Sequence, residues 1–216
     1  MSRHKYPRTF HLPFSPGASS DDKVLAGTGH LDGQDVVVTL KMDGENTSLY
    51  ADGFHARSLD SRHHPSRDWL ARFHASLAHV IPPGWRICGE NLYARHAIAY
   101  HDLPSYFLGF SIWDGDNRCL PWDETVELLG LLGVHPVPVL WRGPFDARAL
   151  ERLAGSLDTS SQEGLVVRLA AGFAYEAFGH SVAKWVRQAH VQTDGHWIHA
   201  AVVPNTLAPA APEPRP

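Results

Sequence analysis

The sequence predicts an α+β domain: a mainly antiparallel sheet with peripheral helices. Hairpin signals join neighbouring strand-like segments, and helical periodicity is confined to separate stretches between them. The regular strand-helix alternation of a parallel doubly wound fold is missing. At 216 residues, 44% apolar and 19% charged, one soluble core is the default. Residues 1–204 are expected to form that single domain, and 205–216, rich in Pro and Ala, a disordered tail.

Each element has its own warrant. Residues 6–20 are punctuated by prolines and a glycine and read as an irregular lead-in. The β-branched run Val36-Val37-Val38-Thr39-Leu40 predicts a strand, ended by an Asp43-Gly44 turn. Strands at 47–50 and 54–58 flank Asp52-Gly53, a hairpin signal that returns Arg57 toward Lys41. Over 65–80, Trp69, Leu70, Phe73, Leu77 and Val80 recur at helical spacing until Pro82-Pro83-Gly84 stops the helix. Strands follow at 85–92 and 106–113, then a helix over 122–132 stopped by Gly133. A strand at 137–141, a helix over 146–154 and a strand at 164–169 complete the pattern.

Bulk properties narrow the function classes. A net charge of -4 gives no global attraction to phosphates, so any nucleic-acid binding needs a local basic surface. The two cysteines, Cys88 and Cys119, lack metal-ligand spacing, and no apolar stretch reaches membrane-spanning length. A reducing cytoplasm with no membrane partner is the simplest expectation. Among fifteen histidines the pair His63-His64 has no supporting ligand at helical spacing, and is not read as a metal site. No glycine-rich phosphate loop occurs, so a nucleotide would be held another way.

Lys41 is the most informative residue. It stands at the mouth of a buried strand, followed by Met42-Asp43-Gly44-Glu45-Asn46, a placement that suits a covalent nucleophile. Further strings follow in order: His55-Ala56-Arg57-Ser58, Cys88-Gly89-Glu90-Asn91, Tyr106-Phe107-Leu108-Gly109-Phe110, Gln162-Glu163-Gly164-Leu165-Val166-Val167, and Ser181-Val182-Ala183-Lys184-Trp185-Val186-Arg187. Together these resemble the motifs of the covalent nucleotidyltransferase superfamily of polynucleotide ligases and capping enzymes, and within it the RNA ligase 2-like group.

The resemblance implies a two-layer, mainly antiparallel nucleotidyltransferase (ATP-grasp-like ligase) fold that binds ATP with Mg2+ or Mn2+ between its sheets. It implies three reactions: adenylylation of the enzyme on lysine, transfer of AMP to an RNA 5′-phosphate, and sealing to a 3′-hydroxyl. Lys41 matches the lysine that carries AMP, and Asn46 the polar residue that orients the attacked phosphate. Arg57 matches a phosphate-binding arginine, Glu90 the ribose acceptor, and Phe107 the aromatic that stacks on adenine. Glu163 matches the metal carboxylate and Lys184 the lysine beside the α-phosphate. These cationic surroundings are expected to favour the neutral amine of Lys41.

One departure concerns Arg187. The second cation of the last motif stands one place later than the family pattern, so Arg187 reaches the site only through a bulge; otherwise Lys184 acts alone. Arg57, Arg62, Arg67 and Arg72 form either an RNA-facing stripe or a solvated helix start. The RNA ends are the expected partners, with a protein partner as a possible source of extra RNA-binding surface. The competing readings are a DNA ligase or capping guanylyltransferase, disfavoured because too little chain separates Lys184 from the tail for an oligonucleotide-binding barrel, and a non-catalytic nucleotide or RNA-binding module. His11-Leu12-Pro13-Phe14-Ser15 and residues 189–197 look too specific for filler but have no mechanistic account from sequence.

Overall fold

The structure, a computed structural model, describes residues 2–60, 62–188 and 201–209. Its strands form two sheets. The first runs β1 (Phe10–His11), β12 (Val182–Val186), β10 (Gly164–Leu169), β2 (Asp35–Lys41) and β9 (Val139–Pro144). The second runs β11 (Phe173–Ala174), β7 (Arg118–Cys119), β6 (Phe107–Trp113), β5 (Arg86–Asn91), β3 (Glu45–Tyr50) and β4 (Gly53–Ala56), with β8 (His135–Pro136) also beside β6. Only the β1–β12 and β6–β8 pairs are parallel among these, so the predicted antiparallel α+β class holds.

Alternation along β2 shows how the layers form. Val36 and Val38 face α3 (Ala147–Gly155), packing with Leu150 and Ala154, whereas Val37 packs toward Leu108 of the second sheet. A strand covered on both faces reads as a continuous apolar run, which is why it was visible without alternation. On the outer face of the second sheet, Leu49, Ile87, Phe107 and Ile112 pack against Leu70 and Leu77 of α1 (Asp68–Leu77) and Leu129 of α2 (Trp122–Leu131). α1 and α3 therefore lie outside, and the space between the sheets is left for the cleft.

Most predicted elements are present. Short 3-10 turns at Pro65–Arg67 and Ala78–Val80 bracket α1, and Gly133 takes a positive φ of 67° just beyond α2. Asp146 caps α3 by accepting a hydrogen bond from the Ala149 amide at 2.6 Å. The hairpin lies one residue earlier than expected: Tyr50 pairs with Gly53, so Ala51-Asp52 is the loop and Gly53, at φ 138°, begins the return strand.

The single strand expected at 137–141 is instead a crossing between sheets. The residues just before it, His135–Pro136, pair with β6 as β8, its later part from Val139 pairs with β2 as β9, and Val137 and Pro138 make the step between the sheets. The Val137 amide donates to Gly109 on one sheet, while the Pro138 carbonyl accepts from Leu40 on the other. The two-residue strands β1, β7 and β11 and the short helix α4 (Phe178–Ser181) were not predicted, being too brief for periodicity to register.

The tail boundary needs correction. Residues 205–209, expected to be disordered, are docked, and Asn205 is 3% exposed. Its Nδ2 donates to Leu92 O at 2.7 Å, its Oδ1 accepts from Tyr100 N at 2.9 Å, and its amide donates to Tyr93 O at 2.9 Å. A composition rule misses this because one buried, fully bonded amide outweighs its low-complexity neighbours. Residues 210–216, like 189–197, lie outside the described residues. We expect Asn205→Ala to lower stability by about 2–3 kcal/mol in urea unfolding, since it strands buried polar groups of the 92–100 loop.

Candidate active site

Lys41 ends β2, and Glu163 immediately precedes β10. These strands pair antiparallel with Gly164 opposite Lys41, so the register places the two side chains together. Lys41 Nζ donates to Glu163 Oε2 at 2.5 Å, and the Glu163 side chain is only 1% exposed. Gly164 is required by the next strand: a Cβ there would stand 2.1 Å from Trp185 O.

Backbone bonds fix the turn after Lys41. Asp43 Oδ2 accepts from Ile98 N at 2.7 Å, Asp43 N donates to Tyr100 Oη at 2.9 Å, and Gly44 N donates to Glu90 Oε1 at 3.2 Å. Asn205 holds the loop that carries Tyr100, so the docked segment 201–209 supports the nucleophile's turn from behind.

Lys41, Asn46, Arg57, Glu90, Glu163 and Lys184 all line one cleft of about 1050 Å³ between the sheets. The sequence-predicted set is thus largely brought together. Arg57 is exposed at the rim, and Asn46 Oδ1 is buried with no hydrogen bond among the described residues. Arg62 and Arg67 also line the cleft, but Arg67 is held by both carboxylate oxygens of Glu45, with Nε 2.7 Å from Oε2. Arg72 is not part of the lining, so the stripe does not continue along α1.

Two assignments are corrected. Phe107 is 0% exposed and faces the helix layer, its ring 5.9 Å from that of Phe73. It covers Gly89, where a Cβ would lie 2.4 Å from Phe107 Cζ, so this glycine admits a neighbouring ring and not a ligand. Of the two phenylalanines in β6, Phe110 is the one that lines the cleft, as Tyr6, Trp122, Phe173 and Tyr175 also do. β6 bulges opposite the Cys88-Gly89 step, where Cys88 pairs with Ser111 and Gly89 with Gly109, which leaves Phe110 as the extra residue.

Arg187 is the second correction. The β10–β12 register is unbroken from Gly164–Val186 to Arg168–Val182, so no bulge turns Arg187 inward. Lys184 and Val186 line the cleft, Ala183 and Trp185 pack in the opposite core, and Arg187 is not part of the lining.

Charge around Lys41 also differs from expectation. Burial would lower its pKa, but the carboxylates of Glu163, Glu90 and Asp43 outweigh that and hold it above its ordinary value. Burial pushes the Glu90 carboxyl up to about 8, against the pull of Lys41. Lys184 is held below its usual value by burial and by the charge of Lys41. Acids, more than cations, therefore set the resting protonation of the nucleophile.

The lining carboxylates suit a hard divalent cation chemically. Among the described residues no cluster of three or more His, Cys, Asp or Glu side chains is assembled. That donor set fits an ion held by one or two carboxylates and completed by substrate phosphates and water. Sequence reading missed the cleft residues His11, Asp22 and Phe110 and the supporting Tyr100 and Asn205. For His11 the signal was present in the unexplained His11-to-Ser15 string.

The site thus sets a lysine at a strand mouth between two mainly antiparallel sheets, facing a buried acid that stands just before the neighbouring strand. The chain belongs to the RNA ligase family, whose profile matches residues 34–186. Among solved structures it is similar to an archaeal ATP-dependent RNA ligase (TM-score 0.57, 18% identity, covering 85% of this chain and 48% of that one). It is also similar to a lysine-to-alanine variant of the Naegleria gruberi RNA ligase with ATP and Mn (TM-score 0.51, 21% identity, covering 72% and 50%). A third similarity is to a candidate ATP-dependent DNA ligase from Aquifex aeolicus (TM-score 0.51, 18% identity, covering 84% and 49%). At these identities the likeness carries the fold, and the chain spans about half the length of those structures. No curated protein matches the chain. No helix among the described residues is long and apolar enough to cross a membrane.

Two outcomes follow from this geometry. Phe107→Ala should destabilise the fold by about 3–5 kcal/mol in urea unfolding, the cost of a cavity in a closed core. His11 gives a pH dependence. Burial and the charge of Lys184 hold its pKa down at about 4, against 6.5 for a free imidazole. Between those values the unfolded chain binds more protons, so the His11 contribution is complete above pH 6.5 and is lost as pH falls toward 4. The urea midpoint of the wild type should fall more steeply across that window than that of His11→Gln.

Proposed function

We propose that this protein is an ATP-dependent RNA ligase that works through a lysyl-AMP intermediate on Lys41. The observation that carries this reading is the Lys41–Glu163 pair, 2.5 Å apart, inside the cleft of a chain that belongs to the RNA ligase family. Lys41 Nζ attacks the α-phosphorus of ATP, a phosphorus–nitrogen bond forms, and the bond to pyrophosphate breaks. The AMP then passes to an RNA 5′-phosphate, and a 3′-hydroxyl attacks that phosphate to seal the strand and release AMP.

Because the acids favour the ammonium form, Lys41 must lose a proton before it attacks, and Glu163 Oε2 is in place to receive it. Lys184 remains charged beside the phosphates, and Arg57 meets them at the rim with a planar fork. Asn46 supplies the cleft with an amide suited to a phosphate oxygen or a ligating water. Glu90, largely protonated near neutral pH, suits a ribose hydroxyl as hydrogen-bond donor as well as acceptor. Phe110, in place of Phe107, offers a ring to the base. Glu163 would hold Mg2+ or Mn2+, whose contribution is to neutralise phosphate charge.

The direct test is incubation of the purified protein with α-labelled ATP and Mg2+ or Mn2+. Label should appear on the protein and be absent from Lys41→Ala, and Glu163→Gln should slow labelling by about 100-fold. Unlabelled wild type, or label retained in Lys41→Ala, overturns the reading. Sealing of nicked RNA, nicked DNA and single-stranded RNA then identifies the ends, and activity on DNA alone would make the enzyme a DNA ligase.

A further inference from the structure

The family profile begins at residue 34, yet two buried polar side chains from before it stand in the cleft. β1 runs parallel to β12 with His11 opposite Lys184, tied down through Ser15, whose Oγ accepts from Val186 N at 3.0 Å and meets His11 Nδ1 at 2.8 Å. Asp22 arrives on a tight turn: its amide donates to Ser19 O at 3.1 Å, and Ser19 N and Oγ donate to its Oδ2 at 3.1 and 2.9 Å. With Oδ2 anchored, Oδ1 stands 3.9 Å from Lys184 Nζ. The Asp22 and His11 side chains are 4% and 1% exposed.

A carboxylate that only closed a surface turn would stay in water, because burying it is unfavourable without a charged partner. The partner here is a lysine that faces the phosphates. The cleft holds two lysines with opposite tasks: Lys41 must lose its proton, whereas Lys184 must remain cationic and still. Each has its own acid, Glu163 for Lys41 and Asp22 for Lys184.

We propose that Asp22 is a positioning residue that fixes Lys184 against the substrate phosphate, so that the segment before the family region completes the active site. This rests on the phosphate-facing role of Lys184 given above. His11 fills the wall between the two, and its neutral ring adds no competing charge. Asp22 also carries negative charge into a site for polyphosphate, so it opposes ground-state binding while it organises the reacting geometry. Its removal should therefore slow the reaction without weakening ATP binding, a split that a general structural lesion would not give.

The test is single-turnover labelling by full-length wild type, Asp22→Asn, Lys184→Met and the double variant across ATP concentrations. Asp22→Asn should slow labelling about tenfold at saturating ATP, with half-saturation unchanged or lower. In the Lys184→Met background the same change should add less than about twofold, the signature of action through that lysine. Equal slowing in both backgrounds, or no slowing in the wild type, overturns the proposal. Ser19→Ala keeps the charge but frees Oδ2, and should give a smaller, equally Lys184-dependent loss; it also serves if Asp22→Asn fails to fold. If the wild type takes no label, the ligase reading fails by itself. Calorimetric ATP binding by the same proteins then decides the pairing: unchanged or tighter binding in Asp22→Asn only when Lys184 is present supports it, and weaker binding overturns it.

Discussion

Burying a carboxylate is unfavourable without a cation beside it, and Glu163, with its side chain 1% exposed, has Lys41 Nζ at 2.5 Å. Much of the architecture serves this pair. The register of β2 and β10 aligns the two strand ends, Gly164 lets β12 come close enough to bring Lys184 to the same cleft, and the Asp43 turn is bonded to the 92–100 loop so that Lys41 does not wander. α1 and α3 cover the outer faces of the two sheets, while Phe178 of α4 and Trp122 of α2 pack between them beside a polar cleft.

The same pair sets the chemistry. A lysine among acids rests as an ammonium, and in the proposed reaction the entry of phosphate and divalent charge would redistribute the field that holds its proton. Net charge is a poor guide to such a site: a chain at -4 overall still collects Lys41, Arg57, Arg62 and Lys184 along one cleft.

What the sequence revealed, and what it concealed, divides along physical lines. Lys41, Glu90, Glu163 and Lys184 were legible because each belongs to a short local motif in or directly beside a strand, and the motifs occur in order along the chain. Phe107 was misplaced because it was assigned from motif order, which does not say which face of the sheet a side chain takes; adjacent strand residues face opposite ways, and no local residue announces the bulge at Phe110. Arg187 failed for the opposite reason: its strand is regular, so no shift rescues it. Asn205, Asp22 and Tyr100 were invisible because their meaning lies in partners distant along the chain, and single-sequence patterns carry only local information.

Those distances also govern the order in which the site can come into being. Lys41 meets Glu163 across 122 residues, Ser15 meets Val186 across 171, and Asn205 meets Leu92 across 113. Closing such long loops is entropically unfavourable until most of the core has formed, so a topology of this kind folds slowly and completes its cleft late. On the ribosome, residue 41 emerges long before residues 163 and 205 are made. On the proposed reading, the nascent chain carries its nucleophile without the groups that would activate it, and self-adenylylation would become possible only among the last events of folding.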